Sequence, residues 1–139
     1  MILTKIKKIM AKVDFLKKRA ESFLRNAKDL IKKREYPLAA FNLQQSAQLY
    51  LKYYLFLKLK KYPKIHLIGE LLKGIGKTYK KEKEVKKIIE KNANIISDLN
   101  QAYFTARYLP AEFFKTQLEN MLNFVEELTS FFKNYEKRN

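Results

Sequence analysis

Cysteine is absent from this 139-residue chain, which excludes disulfides, thiolate metal sites and cysteine nucleophiles and fits a reducing cytosol. With one histidine, His66, a paired-histidine zinc site of the HExxH type cannot form. Glycine and proline occur three times each. So few breakers favour a few long elements over the many short strands of sandwiches and barrels. No apolar run is long enough to span a bilayer, since the most apolar window, Leu49 to Leu59, is broken by Lys52 and Lys58. The opening MILTKIKKIMAKVDF lacks the unbroken apolar stretch and small-residue cleavage site of a signal peptide. The expectation is a soluble, cytoplasmic protein that does not enter the membrane. The GxSxG, GxxxxGK(S/T) and GxGxxG patterns are also missing, and no acidic pair stands out as a general acid and base.

What is present is apolar mass and positive charge. Hydrophobic residues make up 47% and aromatics 14%, enough for a real core in one domain spanning residues 1–139. The charge is uneven: residues 1–80 hold 20 Lys/Arg against 5 Asp/Glu, and residues 81–139 hold 10 against 9. Such a field draws anions, whether nucleotide, nucleic acid or an acidic partner. The plainer alternative is a layer of solvated lysines that keeps the protein soluble.

The apolar spacing predicts helices throughout. Ile2, Ile6, Ile9, Val13, Leu16, Ala20, Phe23, Ala27 and Leu30 alternate at intervals of four and three, the stripe of a helix from Ile2 to about Arg34. Glu35-Tyr36-Pro37 ends it, because the residue before a proline is disfavoured in the α region. A second helix, Pro37 to about Lys60, is apolar on nearly every face and should be central, covered by several neighbours or by a second copy. Its Asn42, Gln44, Gln45 and Gln48 need hydrogen-bond partners if buried. IHLIGELLKGIG reads as two turns of helix ended by Gly74 and Gly76. A fourth helix follows with Val85, Ile88, Asn92, Ile95, Leu99, Ala102 and Ala106 on one face, interrupted at Pro110. The last carries Phe114, Leu118, Met121, Val125, Leu128, Phe132 and Tyr135. The fold class is all-α: an antiparallel four-helix bundle with an additional short helix between the second and third long helices.

Two local patterns carry chemistry. His66 with Leu67, Leu71 and Leu72 opens the short helix. Asn100, Tyr103 and Arg107 fall three and four residues apart and share one face of the fourth helix. Arg107, one turn before the break, could fork onto a phosphate or carboxylate. The structural alternative is that Arg107 caps the exposed carbonyls of the break or pairs with Glu112. His66 by itself is more often structural than catalytic.

Four collinear segments resemble the HEPN family (higher eukaryotes and prokaryotes nucleotide-binding domain) over residues 20–133. They are Asn26-Ala27-Lys28-Asp29-Leu30, Ala40 to Lys52 (AFNLQQSAQLYLK), His66 to Leu72 (HLIGELL) and Tyr103 to Pro110 (YFTARYLP). Three positions depart from the family's pattern. The glutamate usual in the second helix is Gln48, and Leu109 splits the arginine-tyrosine-proline run. No histidine follows Arg107, so the arginine–histidine motif of the family's ribonucleases is absent. The resemblance implies a helical bundle, a homodimer, a small nucleotidyltransferase as partner in a toxin–antitoxin-like module, and a nucleotide or RNA pocket near Arg107. The expectation is a non-catalytic binding module without catalytic residues, metal or cofactor. It would hold nucleotide or RNA phosphate through Arg107, assisted by Tyr103, Tyr108, Asn100, His66 and Lys52. Two alternatives stay open: a ribonuclease toxin with a non-standard site using Arg107 and His66, and a purely structural dimerisation scaffold.

Overall fold

The computed structural model describes residues 1–108 and 112–138, without the side chains of residues 107, 108, 137 and 138. Its elements are α1 (Ile2–Lys32), α2 (Tyr36–Leu59), α3 (Ile68–Tyr79), α4 (Glu82–Lys91), α5 (Ala93–Tyr108) and α6 (Lys115–Phe132), closed by a 3-10 turn at Lys133–Arg138. No strand occurs among the described residues, so the chain is all-α.

α1 and α2 run antiparallel. Ser46 Oγ of α2 donates to the Ala20 carbonyl at 2.8 Å, while Lys12 lies over the Phe56 ring, so one helix descends as the other rises. Such close contact is possible because α1 presents alanines there, Ala20 and Ala27, both fully buried. α2 is buried nearly all round, with Leu43, Ala47, Leu51, Tyr54 and Leu55 among its inward residues. A single chain achieves this cover: α1, α3, α5 and α6 all pack on α2. Two of its polar residues find local partners: Asn42 Nδ2 donates to the Leu38 carbonyl at 2.8 Å and Gln45 Nε2 to Gln44 Oε1 at 2.8 Å.

Three junctions differ from the expected pattern. First, Tyr36 belongs to α2 although a proline follows it, because the chain turns earlier: Arg34 takes a positive φ of 62° and Glu35 N–H reaches the Leu30 carbonyl at 2.9 Å. Second, α3 does not stop at Gly74 and Gly76. It runs to Tyr79 and is capped by Lys80 in the left-handed region (φ 57°), with Lys81 N–H donating to the Gly76 carbonyl at 2.8 Å. A Cβ at Gly76 would lie 3.3 Å from Glu82 Cα and from Val85 Cβ, so this glycine lets α4 approach α3. Third, the expected fourth helix is two helices. Asn92 at the break donates its own Nδ2 to the Ile88 carbonyl at 2.9 Å, the local competition that makes asparagine a poor helix-interior residue.

The α1 stripe is buried only from Leu16 onward. Met1, Ile2, Leu3 and Ile6 stand exposed where α1 extends past the end of α2. At the C-terminal end, Tyr79 OH donates to the Tyr54 carbonyl at 2.7 Å and Tyr53 OH to Glu136 Oε1 at 2.7 Å. Burial and that carboxylate together hold the Tyr53 phenol well above its usual pKa.

Candidate functional site

The structure brings His66, Asn100 and Tyr103 together. The segment after α2, Lys60 to Leu67, is irregular and returns along α2 to start α3. Two polar side chains pin its last residues. Gln44 Nε2 of α2 donates to the His66 carbonyl at 3.0 Å, and Gln45 Nε2 in turn donates to Gln44 Oε1. From the other side, Asn100 Oδ1 of α5 accepts the Ile68 N–H at 2.9 Å. That N–H is one of the unsatisfied donors at the start of α3, whose N-cap residue, Leu67, makes no side-chain hydrogen bond. Asn100 therefore serves as a helix cap supplied from another element.

With its backbone held on both sides, the His66 ring stacks on Tyr103, centroids 4.5 Å apart and planes inclined by 17°. Phe104 meets Tyr103 edge-on at 5.4 Å and is itself half exposed. The resulting surface is an aromatic platform: His66 is exposed and Tyr103 lies beneath it, 8% exposed. Such a platform can stack a base, and the imidazole can donate or accept a hydrogen bond. The backbones of Arg107 and Tyr108 form the last turn of α5, so Arg107 follows Tyr103 by one turn, about 6 Å along the axis. The side chains of Arg107 and Tyr108, like Leu109 and Pro110, lie outside the described residues.

Lys52 is not part of this group. It lies two turns beyond Gln44 on α2, about 12 Å along the axis. Its Nζ donates to Gln48 Oε1 at 3.0 Å and sits 5.4 Å from the centroid of the Tyr62 ring. Burial pulls its ammonium below the usual lysine value. Two participants were not singled out as site residues from the sequence: Gln44, which positions His66, and Tyr62, which covers Lys52. The signal for the first was available, since a glutamine on a helix buried all round must bond to something.

Two cavities, of about 400 Å³ between α3 and α4 (Gly76, Val85, Ile89) and about 450 Å³ beside the Lys60–Leu67 segment (Leu55, Tyr62, Leu71), are lined by none of the candidate residues. Among the described residues no three His, Asp or Glu side chains gather as a metal site, and no helix is long and apolar enough to cross a membrane.

A polar-pinned short helix, an aromatic stack on α5 and an arginine one turn further on recur in the order of the resemblance noted above. The model of the HEPN domain matches residues 13–135, most of the chain, and the protein belongs to that family. No curated protein and no solved structure matches it.

Proposed function

We propose that this chain is a non-catalytic nucleotide- or RNA-binding HEPN module, a single domain over residues 1–139 arranged as an antiparallel four-helix bundle. It acts in the cytoplasm as a homodimer with a small nucleotidyltransferase partner, in a toxin–antitoxin-like pair. Family membership supports the nucleotide- or RNA-related part of this reading. The observation that carries the site is the His66–Tyr103 stack one turn before Arg107. In this reading a base or ribose rests against the stack, Arg107 forks onto phosphate oxygens, Tyr108 adds a phenol, and Asn100 keeps the geometry by capping α3. Lys52 contributes charge from further along α2. The basic first 80 residues supply the long-range attraction. The exposed apolar start of α1 supports association, because Met1, Ile2, Leu3 and Ile6 leave apolar side chains uncovered close together on one segment.

The test is calorimetric titration of the protein with nucleotides and with a short single-stranded RNA. Arg107→Ala should abolish binding while circular dichroism stays unchanged; an unaltered affinity removes Arg107 from the site. Binding should also weaken steeply as salt rises. The exposure of His66 next to Tyr103 favours one second reading, a ribonuclease using Arg107 and His66. Cleavage of labelled RNA that vanishes in His66→Ala would establish it, and no heat with any ligand would leave a dimer scaffold.

A further inference from the structure

The second helix carries an unbalanced set of donors that the His66–Tyr103 group does not use. Gln48 and Lys52, one turn apart, are 6% and 7% exposed. Lys52 Nζ donates to Gln48 Oε1 at 3.0 Å, and this orients the carboxamide, because turned round it would set an NH2 against an ammonium. Gln48 Nε2 therefore points away from the lysine, and it is buried without an acceptor. Lys12 of α1 brings a second ammonium: the Nζ atoms of Lys12 and Lys52 each lie 5.4 Å from the centroid of the Tyr62 ring. Lys12 is exposed, so the group reaches the surface. Among the described residues, neither lysine has a carboxylate within 4.0 Å. A glutamate at position 48 would neutralise Lys52 from one turn away; the glutamine leaves the buried charge unmatched.

We propose that Lys52, Gln48 and Lys12 form a subsite for the phosphate group of a phosphate ester, beneath Tyr62 and two turns of α2 from the His66–Tyr103 stack. The group needs an acceptor that carries negative charge and offers several oxygens in different directions. A phosphate that accepts from Lys52 and from the Gln48 amide would also lie in the field of the nearby Lys12 charge, whereas a water molecule leaves the ammonium charges uncompensated. This inference rests on the proposed function only for the source of the phosphate, free nucleotide or RNA backbone.

The test measures thermal stability of the full chain in inorganic phosphate against sodium chloride at matched ionic strength. Wild type should show a saturable rise with phosphate. Lys52→Met keeps most of the side chain's length without its charge, and Gln48→Glu supplies an internal counter-ion; both should fold and lose the part of the rise that this subsite supplies, leaving at most what Arg107 adds. The surface control Lys8→Met should keep the whole rise, and Arg107→Ala, a residue of the proposed nucleotide site, should keep the part that Lys52 and Gln48 supply. Equal rises in all five proteins would mean general screening of a basic surface, and no difference between phosphate and chloride would mean no site; either overturns the proposal. Loss in Arg107→Ala with retention in Lys52→Met would overturn this subsite while supporting the Arg107 reading. AMP and a short oligoribonucleotide then separate the sources: the one whose affinity falls about tenfold in Lys52→Met supplies the phosphate. A fall in neither would overturn the assignment to a phosphate ester.

Discussion

The same substitution at two positions of one helix should have opposite effects. Gly74 and Gly76 are both interior to α3, so replacing either by alanine removes a poor helix former, a gain of about 0.8–1 kcal/mol. At Gly74 the new methyl meets the Leu55 Cδ atoms at 3.8 and 3.9 Å, ordinary van der Waals distances. The full gain should survive, and a net stabilisation of about 1 kcal/mol corresponds to a Tm rise of roughly 4 °C for a chain of this size. At Gly76 the methyl meets Glu82 Cα and Val85 Cβ, both at 3.3 Å. One of these is backbone, so relief requires moving the first turn of α4. Overpacking of this kind costs about 1–3 kcal/mol, which exceeds the propensity gain and leaves a net loss of up to about 2 kcal/mol. Urea denaturation of both variants, followed by circular dichroism at one pH, measures the difference. If Gly74→Ala destabilised the protein, or the two variants shifted together, the placement of both glycines inside a continuous α3 packed on α4 would be refuted.

Further outcomes follow from single contacts. Lys80 holds a left-handed conformation at the end of α3, so Lys80→Gly should stabilise by about 1 kcal/mol in the same denaturation assay. Tyr79→Phe removes the hydroxyl that donates to the buried Tyr54 carbonyl and should cost about 1–2 kcal/mol; an unchanged midpoint would show that this bond contributes nothing net. Burial raises the phenols of Tyr50 and Tyr79 from 10.0 to about 12. A raised folded-state pKa means stability that is complete below pH 10.0 and is lost as pH climbs through about 12. Unfolding midpoints should therefore be level with respect to these tyrosines up to pH 10.0 and fall beyond it, with tyrosinate absorbance appearing together with unfolding. Early tyrosinate signal in a folded protein would contradict the burial.

Much of the architecture was legible because helix formation follows local spacing. The α1 and α6 stripes mark the inward faces of those helices, apart from Phe114 and the overhanging start of α1, and the all-round apolarity of α2 marks the central element. The junctions were harder to read. Gly74 and Gly76 look like terminators by composition, yet their reason is the nearness of α4, a contact between residues that periodicity does not relate. Asn92 sits in register with the apolar stripe, but its side chain competes for the Ile88 carbonyl and ends α4.

The candidate site divides in the same way. Chain order alone places Asn100, Tyr103 and Arg107 on one helical face and supplies the motif order of the family, since both are properties of residues close in sequence. Which partners those residues meet depends on how the Lys60–Leu67 segment returns along α2. That path stacks His66 on Tyr103, gives Gln44 the His66 carbonyl and Asn100 the start of α3, and leaves Lys52 under Tyr62 instead of beside His66. Contacts between residues far apart in the chain arise from packing of whole helices, and no local pattern of side chains encodes them.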